Sequence, residues 1–249
     1  MTKFLTSKDL GCGIWLALDM DNFEEALNLV GQTADFVDGY KVHGLVEDAM
    51  RQKIEKLRKT GAKKVWLDRK VDDTPSTVRL VSGNARTCSA DRMTIMASAG
   101  IEAMMTAGNY GPDEIVAVTD LTSLSKAEIG MSRGMPADAS VLQKAQWARI
   151  AGVIFLVCSV EEVSILSKRR AYSTIAGRNL ELHGMKFIVP GSRTITTNLK
   201  GQVRSNTAMA TLDAGADELV LGSEVWEAGH PFDALQQVYQ AILQHKNQE

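Results

Sequence analysis

The sequence predicts a (β/α)8 barrel, an eight-stranded parallel sheet closed on itself and surrounded by helices. Three observations lead to this fold class. The chain has 249 residues, and such barrels commonly run to about 250 residues as one unit. Short apolar runs alternate with longer stretches of helical periodicity, as in repeated βα units. No linker rich in Pro, Gly or Ser divides the chain. We therefore expect one barrel domain over residues 1–249.

Eight short apolar runs, many rich in β-branched residues, are the predicted strands. In chain order they cover residues 13–18, 36–42, 64–67, 92–96, 115–118, 152–157, 186–189 and 218–221. Strands that are almost continuously apolar and alternate with helices indicate a parallel sheet that helices cover on its outer face.

Between these runs, apolar residues recur three and four positions apart, as on the buried face of a helix. The pattern predicts outer helices over residues 23–30, 46–57, 141–150 and 232–243. Residues 192–200 are rich in Thr, Ser and Asn and lack this periodicity, which indicates a loop after the seventh strand. In barrels of this class a phosphate group is often bound at that position.

The composition argues against several classes of protein. The hydrophobic fraction of 45% and the charged fraction of 23% are typical of a folded globular chain. A net charge of −2 provides no general attraction to nucleic acid or to an anionic membrane. No basic stripe interleaved with aromatic residues is present, so we expect no nucleic-acid partner.

The cysteines and the amino terminus bear on location. Cys12, Cys88 and Cys158 are widely separated and lack CxxC spacing, so they indicate neither a zinc site nor a disulfide framework. The first residues contain no apolar leader, and no apolar run approaches the roughly 18 residues of a membrane span. We expect a cytoplasmic protein with no membrane partner.

Polar residues that directly follow the apolar runs are the candidate site residues, because active sites of such barrels lie at the carboxyl ends of the strands. Five residues meet this criterion: Asp19, Lys41, Asp68, Lys70 and Thr122. A single charged residue at a strand end is more often a solvated edge. A group of them at one mouth is better explained as a site.

The most specific pattern is DRKVDDTPST, which contains Asp68, Lys70 and Asp73 in DxKxxD spacing. Alternation along a strand places Asp68 and Lys70 on the same side, facing the barrel axis. Asp73 lies beyond the strand, on a loop from which it can reach a neighbouring subunit. With Lys41 beside Asp68 and Lys70 near Asp73, each ammonium group would be kept charged by a carboxylate. Such an ammonium group is a fixed proton donor.

Motifs along nearly the whole chain carry a family resemblance. They read LALD, YKV, DxKxxD ending in PST, VTDLTS, VPGSR and GADELVLGS, and they span residues 14–231. In order and approximate spacing the chain resembles the orotidine 5'-phosphate decarboxylase family. DxKxxD alone is shared with sugar-phosphate aldolases and keto-gulonate phosphate decarboxylases, so by itself it identifies only the wider group.

The resemblance implies cofactor-free decarboxylation of orotidine 5'-monophosphate to uridine 5'-monophosphate in de novo pyrimidine biosynthesis. Lys70 would protonate the C6 carbanion, Asp68 would lie against the substrate carboxylate, and Lys41 and Asp73 would orient this pair. The sugar-phosphate relatives typically have glutamate where this chain has Lys41, and they recruit a metal ion. Because an ammonium group repels a metal ion, we expect neither a metal nor any other cofactor.

The resemblance also implies a binding site for a phosphorylated pyrimidine nucleotide. Asp19 and Thr77 would hold ribose hydroxyls, and Thr122 would bind the pyrimidine edge. Asp73 and Thr77 would enter the partner's site, which implies a homodimer. The remaining substrate-binding positions face the phosphate and the pyrimidine: Pro190, Arg193, Gln202, Gly222 and Ser223.

The chain departs from the family pattern at the phosphate end. The eighth strand usually ends in Gly-Arg, whereas here Gly222 is followed by Ser223. An arginine fork makes bidentate, charge-assisted hydrogen bonds that serine cannot reproduce. Arg193, and Arg204 as a possible substitute, remain to supply positive charge. Backbone N–H groups at residues 222 and 223, before a helix predicted to begin near Glu224, are a further candidate cradle.

Three other positions differ from the pattern. Met96 replaces a histidine and is interpreted as a core residue. Thr74 replaces an isoleucine. His43 replaces the glycine that commonly follows Lys-Val, and we interpret it as a polar neighbour of the barrel mouth and not as a catalytic base.

Two alternatives to the decarboxylase remain open. One is a sugar-phosphate decarboxylase or aldolase of the same group, which dependence on a metal ion would reveal. The other is a homologue that binds a nucleotide without turning it over. The intact set of two lysines and two carboxylates argues against the second alternative, since a site without chemistry has no physical reason to keep buried charges.

Overall fold

Eight parallel strands close a barrel in chain order, with β8 paired to β1. The computed structural model describes residues 4–172, 182–191 and 207–247. The strands are β1 (Gly13–Ala17), β2 (Gly39–Val42), β3 (Val65–Val71), β4 (Arg92–Met96), β5 (Glu114–Val118), β6 (Phe155–Val157), β7 (Lys186–Pro190) and β8 (Glu218–Leu221). The predicted fold class, a (β/α)8 or TIM barrel, is confirmed.

Helices surround the strands. Two 3-10 segments, Gly44–Ala49 and Ala97–Ala99, follow β2 and β4. The α-helices of the described residues are α1 (Ser7–Leu10), α2 (Phe23–Thr33), α3 (Met50–Thr60), α4 (Pro75–Thr87), α5 (Ile101–Tyr110), α6 (Lys126–Arg133), α7 (Ala137–Ile150), α8 (Val160–Tyr172), α9 (Ala208–Asp213), α10 (Ser223–Trp226) and α11 (Pro231–Lys246). Within these ranges no helix is both long and apolar enough to cross a membrane.

Several predicted boundaries were wrong for local reasons. β2 begins at Gly39 and not at residue 36, because Phe36 donates its N–H to the Thr33 carbonyl in a turn that ends α2. β6 begins at Phe155 and not at residue 152, because Gly152 has a φ of 78° and bonds back to the Arg149 carbonyl. The predicted helix over 46–57 begins only at Met50. The predicted loop at 192–200 lies outside the described residues.

Alternation along the strands separates two layers of core. Outward residues such as Ile14 and Leu16 pack beneath the helices. Inward residues fill the barrel and include Trp15, Trp66 and Met96. Met96 is 6% exposed, which confirms its interpretation as a core residue.

The amino end of the barrel is closed by Arg92. Its guanidinium lies 4.3 Å from the Trp15 ring centroid and 4.4 Å from that of Phe155. It also forms ion pairs with Glu114 at 2.6 Å and Glu218 at 2.5 Å. This aromatic and ionic layer fills the amino end of the barrel interior.

Candidate active site

The first three strands bring charged side chains to the mouth of the barrel. Lys41 of β2 pairs in register with Ala17 of β1 and with Trp66 of β3. Ala17 and Trp66 belong to the inner core, so Lys41 lies in the same inward-facing layer. Asp19 follows β1, and Asp68 and Lys70 lie in the last part of β3.

Asp68 is the centre of the charged array. Its Oδ2 accepts hydrogen bonds from Lys70 Nζ at 2.7 Å and from Lys41 Nζ at 3.1 Å. Lys41 Nζ also donates to Asp19 Oδ1 at 3.3 Å, and the same oxygen is 3.0 Å from Nε2 of His43. The structure therefore joins the predicted Lys41, Asp68 and Lys70. It also confirms the interpretation of His43 as a polar neighbour of the mouth.

Lys70 reaches Asp68 by a different route from the one predicted. The pairing of β3 with β4 shifts register between Leu67 and Val71. Within this irregular segment Lys70 has a φ of 47°, a left-handed conformation that is uncommon for any residue except glycine. Simple alternation of an extended strand therefore does not orient Lys70. The bulge orients the Lys70 side chain toward Asp68. The left-handed backbone conformation costs roughly 1–2 kcal/mol.

Burial and charge together set the protonation of Asp68. Its side chain is 7% exposed, as is typical of a core residue, and that of Lys41 is 9% exposed. Burial acts to raise the pKa of Asp68, but the ammonium groups of Lys41 and Lys70 outweigh burial and lower the pKa to about 2. Asp68 is therefore a carboxylate at neutral pH. Lys70, at 37% exposed, is the more accessible of the two ammonium groups.

These residues form one end of a cavity of about 410 Å³ at the mouth. Eight of the predicted site residues line it: Asp19, Lys41, Asp68, Lys70, Thr122, Pro190, Gly222 and Ser223. Residues not predicted as binding residues also line it, including His43, Glu224, Trp226 and Glu227. Glu224, Trp226 and Glu227 come shortly after the end of β8. Their position just beyond a predicted strand could have identified them as candidates from the sequence. Arg193, Gln202 and the possible substitute Arg204 lie outside the described residues.

Asp73 and Thr77 do not line this cavity. Asp73 is exposed, and its Oδ1 accepts the Thr74 N–H at 2.6 Å at the start of α4. Thr77 Oγ1 lies 3.3 Å from Thr74 Oγ1. In the described part of the chain no hydrogen bond or ion pair joins Asp73 to Lys70, so the predicted contact between them is absent within one subunit. The physical reason is that Asp73 turns toward the backbone that begins α4.

A second buried ionic cluster supports the wall behind Thr122. Asp120, two residues before Thr122, is fully buried. Its carboxylate accepts hydrogen bonds from Lys144, from Ser140 Oγ at 2.8 Å and from Arg133 Nε at 3.2 Å. Burial lowers the pKa of Lys144, and the adjacent Asp120 opposes that shift. The cluster ties α6 and α7 to the end of β5.

A model of one protein family matches most of the chain. The family is described as "Orotidine 5'-phosphate decarboxylase / HUMPS family", and the match covers residues 13–238. The chain belongs to this family. The family predicted from the sequence motifs is thus confirmed.

Curated relatives within the orotidine 5'-phosphate decarboxylase / HUMPS family match over nearly their full length. Orotidine 5'-phosphate decarboxylase of Idiomarina loihiensis is 30% identical over 237 residues, covering 92% of this chain and 97% of the relative. The protein of the same name from Tolumonas auensis is 32% identical over 234 residues, with 90% and 95% covered. The family match is therefore not confined to a shared motif.

Solved structures support the fold independently. The crystal structure of orotidine 5'-phosphate decarboxylase from Pyrococcus horikoshii superposes with a TM-score of 0.74 at 20% identity, covering 92% of this chain and 99% of that one. The corresponding structure from Lactobacillus acidophilus gives a TM-score of 0.72 at 22% identity, with 93% and 99% covered. At these identities the likeness establishes the barrel fold shared with members of the family.

Proposed function

We propose that the chain decarboxylates orotidine 5'-monophosphate to uridine 5'-monophosphate in pyrimidine biosynthesis, with no metal or other cofactor. One observation carries this proposal: two ammonium groups, from Lys41 and Lys70, converge on Asp68 inside the cavity. Membership in the family and the names of the curated relatives support it. The family description names HUMPS beside orotidine 5'-phosphate decarboxylase, so membership alone does not choose the reaction. The residues of the cavity provide the evidence for that choice.

The proposed chemistry follows from the charge of the array. When the C6 carboxylate leaves as carbon dioxide, the electron pair of the broken bond stays on an sp2 carbon as a localised carbanion. The Lys70 ammonium group stabilises this charge and then transfers one proton to C6, leaving a neutral amine. Asp68, ionised because its pKa is about 2, would lie against the departing carboxylate. Lys41 donates a hydrogen bond to Asp68 and holds it in place.

Lys41 supports the decarboxylase over a metal-dependent sugar-phosphate enzyme. Its Nζ donates to both Asp19 and Asp68, the two carboxylates that would otherwise be the natural ligands of a cation in this corner of the cavity. An ammonium group within hydrogen-bond distance of both would repel a divalent ion. The corner is therefore suited to an organic anion.

The function is tested by the loss of absorbance of orotidine 5'-monophosphate on addition of chelator-treated protein. We expect turnover, at a rate unchanged by added Mg²⁺. Activity that disappears in chelator and returns with Mg²⁺ would favour the sugar-phosphate alternative. Calorimetric binding of the nucleotide without any product would favour the non-catalytic alternative.

The phosphate end of the cavity provides a prediction about Ser223. We propose that Pro190, Gly222 and Ser223 border the phosphate and that Arg193 and Gln202 approach it. Replacing Ser223 by Arg is expected to lower KM by about 10-fold, because a charge-assisted hydrogen bond to phosphate is worth about 1.5–3 kcal/mol. Ser223→Gln, which adds length without charge, is the control. An unchanged or higher KM in Ser223→Arg would mean that the phosphate is held elsewhere.

We further propose a homodimer in which Asp73 and Thr77 complete the partner's site. Neither residue lines the cavity of its own subunit, which supports a role across a subunit interface. Mixing inactive Lys70→Ala and Asp73→Ala proteins, after subunit exchange, should restore about a quarter of wild-type activity, because half the dimers would be mixed and each would hold one intact site. Activity that stays absent in the mixture, with exchange shown by differential tags, would contradict shared sites.

The proposed location is the cytoplasm. Cys12, Cys88 and Cys158 are all free thiols, which suits a reducing compartment.

A further inference from the structure

The part of β3 that carries Lys70 lies in a gap between paired residues. The ladder to β2 ends at Leu67, and the ladder to β4 pairs Leu67 and next Val71. Among the described residues, neither ladder therefore pairs residues 68–70. Within this gap Lys70 has a φ of 47°. Its left-handed conformation is thus kept without backbone pairing on either side.

Side chains next to Lys70 in the sequence anchor the gap to the segments that follow the two neighbouring strands. Arg69 Nη1 donates to Glu47 Oε1 at 2.6 Å, and Glu47 lies in the 3-10 segment after β2. Asp72 Oδ2 accepts from Ser98 Oγ at 2.7 Å, and Ser98 lies in the 3-10 segment after β4. Because β3 lies between β2 and β4, the two contacts hold the gap from opposite sides.

These two contacts lie outside the cavity and near solvent. Arg69 and Asp72 are not among the described residues that line the cavity. The Arg69 side chain is 27% exposed and that of Glu47 is 54% exposed, and ion pairs this accessible add little to the stability of a fold. A left-handed residue other than glycine, however, persists only where its surroundings determine its conformation. The contacts are therefore best explained as restraints on the backbone of Lys70.

We propose that Arg69 and Asp72 are positioning residues that hold the backbone of Lys70 in its left-handed conformation. That conformation keeps Lys70 Nζ 2.7 Å from Asp68 Oδ2. Without the two contacts Lys70 relaxes to a negative φ, and its ammonium group moves away from the substrate carbon that it would protonate. A displacement of about 1 Å in a reacting group lowers the rate by about 100-fold. The inference rests on the proposed function, because it requires Lys70 to be the proton donor.

The double variant Arg69→Ala with Asp72→Ala removes both contacts and leaves the residues that line the cavity unchanged. We expect kcat for orotidine 5'-monophosphate to fall by about 10- to 100-fold. Affinity for uridine 5'-monophosphate, measured by calorimetry, should stay within about 3-fold of wild type. General damage to the site would instead weaken binding as well, and that outcome would overturn the inference. Arg51→Ala, which removes an exposed arginine contact to the Thr87 carbonyl, is the matched control and should keep wild-type kcat.

Conservative and exchanged variants test each contact separately. Asp72→Asn keeps an acceptor oxygen for Ser98 and should retain nearly wild-type kcat. Arg69→Glu and Glu47→Arg should each lower kcat, because each brings like charges together. Combined, they restore an ion pair, and kcat should return to within about 3-fold of wild type. A combined variant no more active than either single variant would overturn the role of Arg69.

A crystal structure of the Arg69→Ala, Asp72→Ala protein examines the backbone without depending on turnover. We expect Lys70 at a negative φ, with Nζ beyond hydrogen-bond distance of Asp68 Oδ2. A Lys70 that stays left-handed, or an unchanged kcat, would overturn the inference and leave the proposed function standing. A wild-type protein that does not decarboxylate orotidine 5'-monophosphate would overturn the proposed function and the catalytic purpose of the restraint. The restraint itself would then be judged by the φ of Lys70 alone.

Discussion

Lys70→Ala is expected to abolish decarboxylation of orotidine 5'-monophosphate, lowering kcat by about 10⁴-fold or more. The substitution removes both the proton for C6 and the positive charge that stabilises the carbanion. Lys70 is the more exposed of the two lysines that contact Asp68. Lys41 is more deeply buried and donates to both Asp19 and Asp68, so we do not expect it to replace Lys70 as the proton donor. The loss of substrate absorbance measures the rate.

Lys70→Arg separates charge from proton transfer. A guanidinium keeps the positive charge, but it does not give up its proton in proteins. We therefore expect this variant to bind uridine 5'-monophosphate but to remain inactive. Lys126→Ala, which removes an exposed lysine on α6, is the matched control and should keep wild-type activity. A kcat within about 10-fold of wild type in Lys70→Ala would assign the proton to another group.

Asp120→Ala is expected to lower the free energy of unfolding by about 3–5 kcal/mol, the cost of leaving a buried charge without its partner. Lys144, 4% exposed, would lose the carboxylate that holds it, while Arg133 is exposed enough to turn toward water. Urea unfolding followed by circular dichroism measures the change. The same variant should raise KM, because Asp120 anchors the chain two residues before Thr122.

The double replacement Asp120→Val with Lys144→Met tests the physical cause. If an unpaired charge is responsible, removing both partners should recover most of the lost stability. The pH dependence has a definite sign. Without Asp120, Lys144 has a lowered pKa in the folded chain, so the destabilisation should shrink as pH rises toward the ordinary lysine pKa. A double variant as unstable as Asp120→Ala would show that lost packing, and not charge, is the cause.

The barrel and its family could be predicted because both depend on information local in the sequence. Apolar periodicity distinguishes strand from helix, and the number and order of elements then leave few ways to bury every apolar face. The contact between Lys41 and Asp68 could also be predicted, because the carboxyl ends of adjacent parallel strands lie at the same mouth of the barrel. The roles of all the candidate site residues, including Asp73, Thr77, Arg193 and Gln202, remain predictions.

The tertiary structure decided which groups pair across the chain. The left-handed conformation of Lys70 arises where β3 shifts register against β4, and the sequence of β3 alone contains no sign of that. The bond from His43 to Asp19, and the burial of Asp120 against α7, join residues from separate elements. The sequence by itself determined the architecture and the family, through short-range periodicity and motif order. The protonation state of Asp68 and the orientation of Lys70 depend on distances between remote residues, and only folding sets those distances.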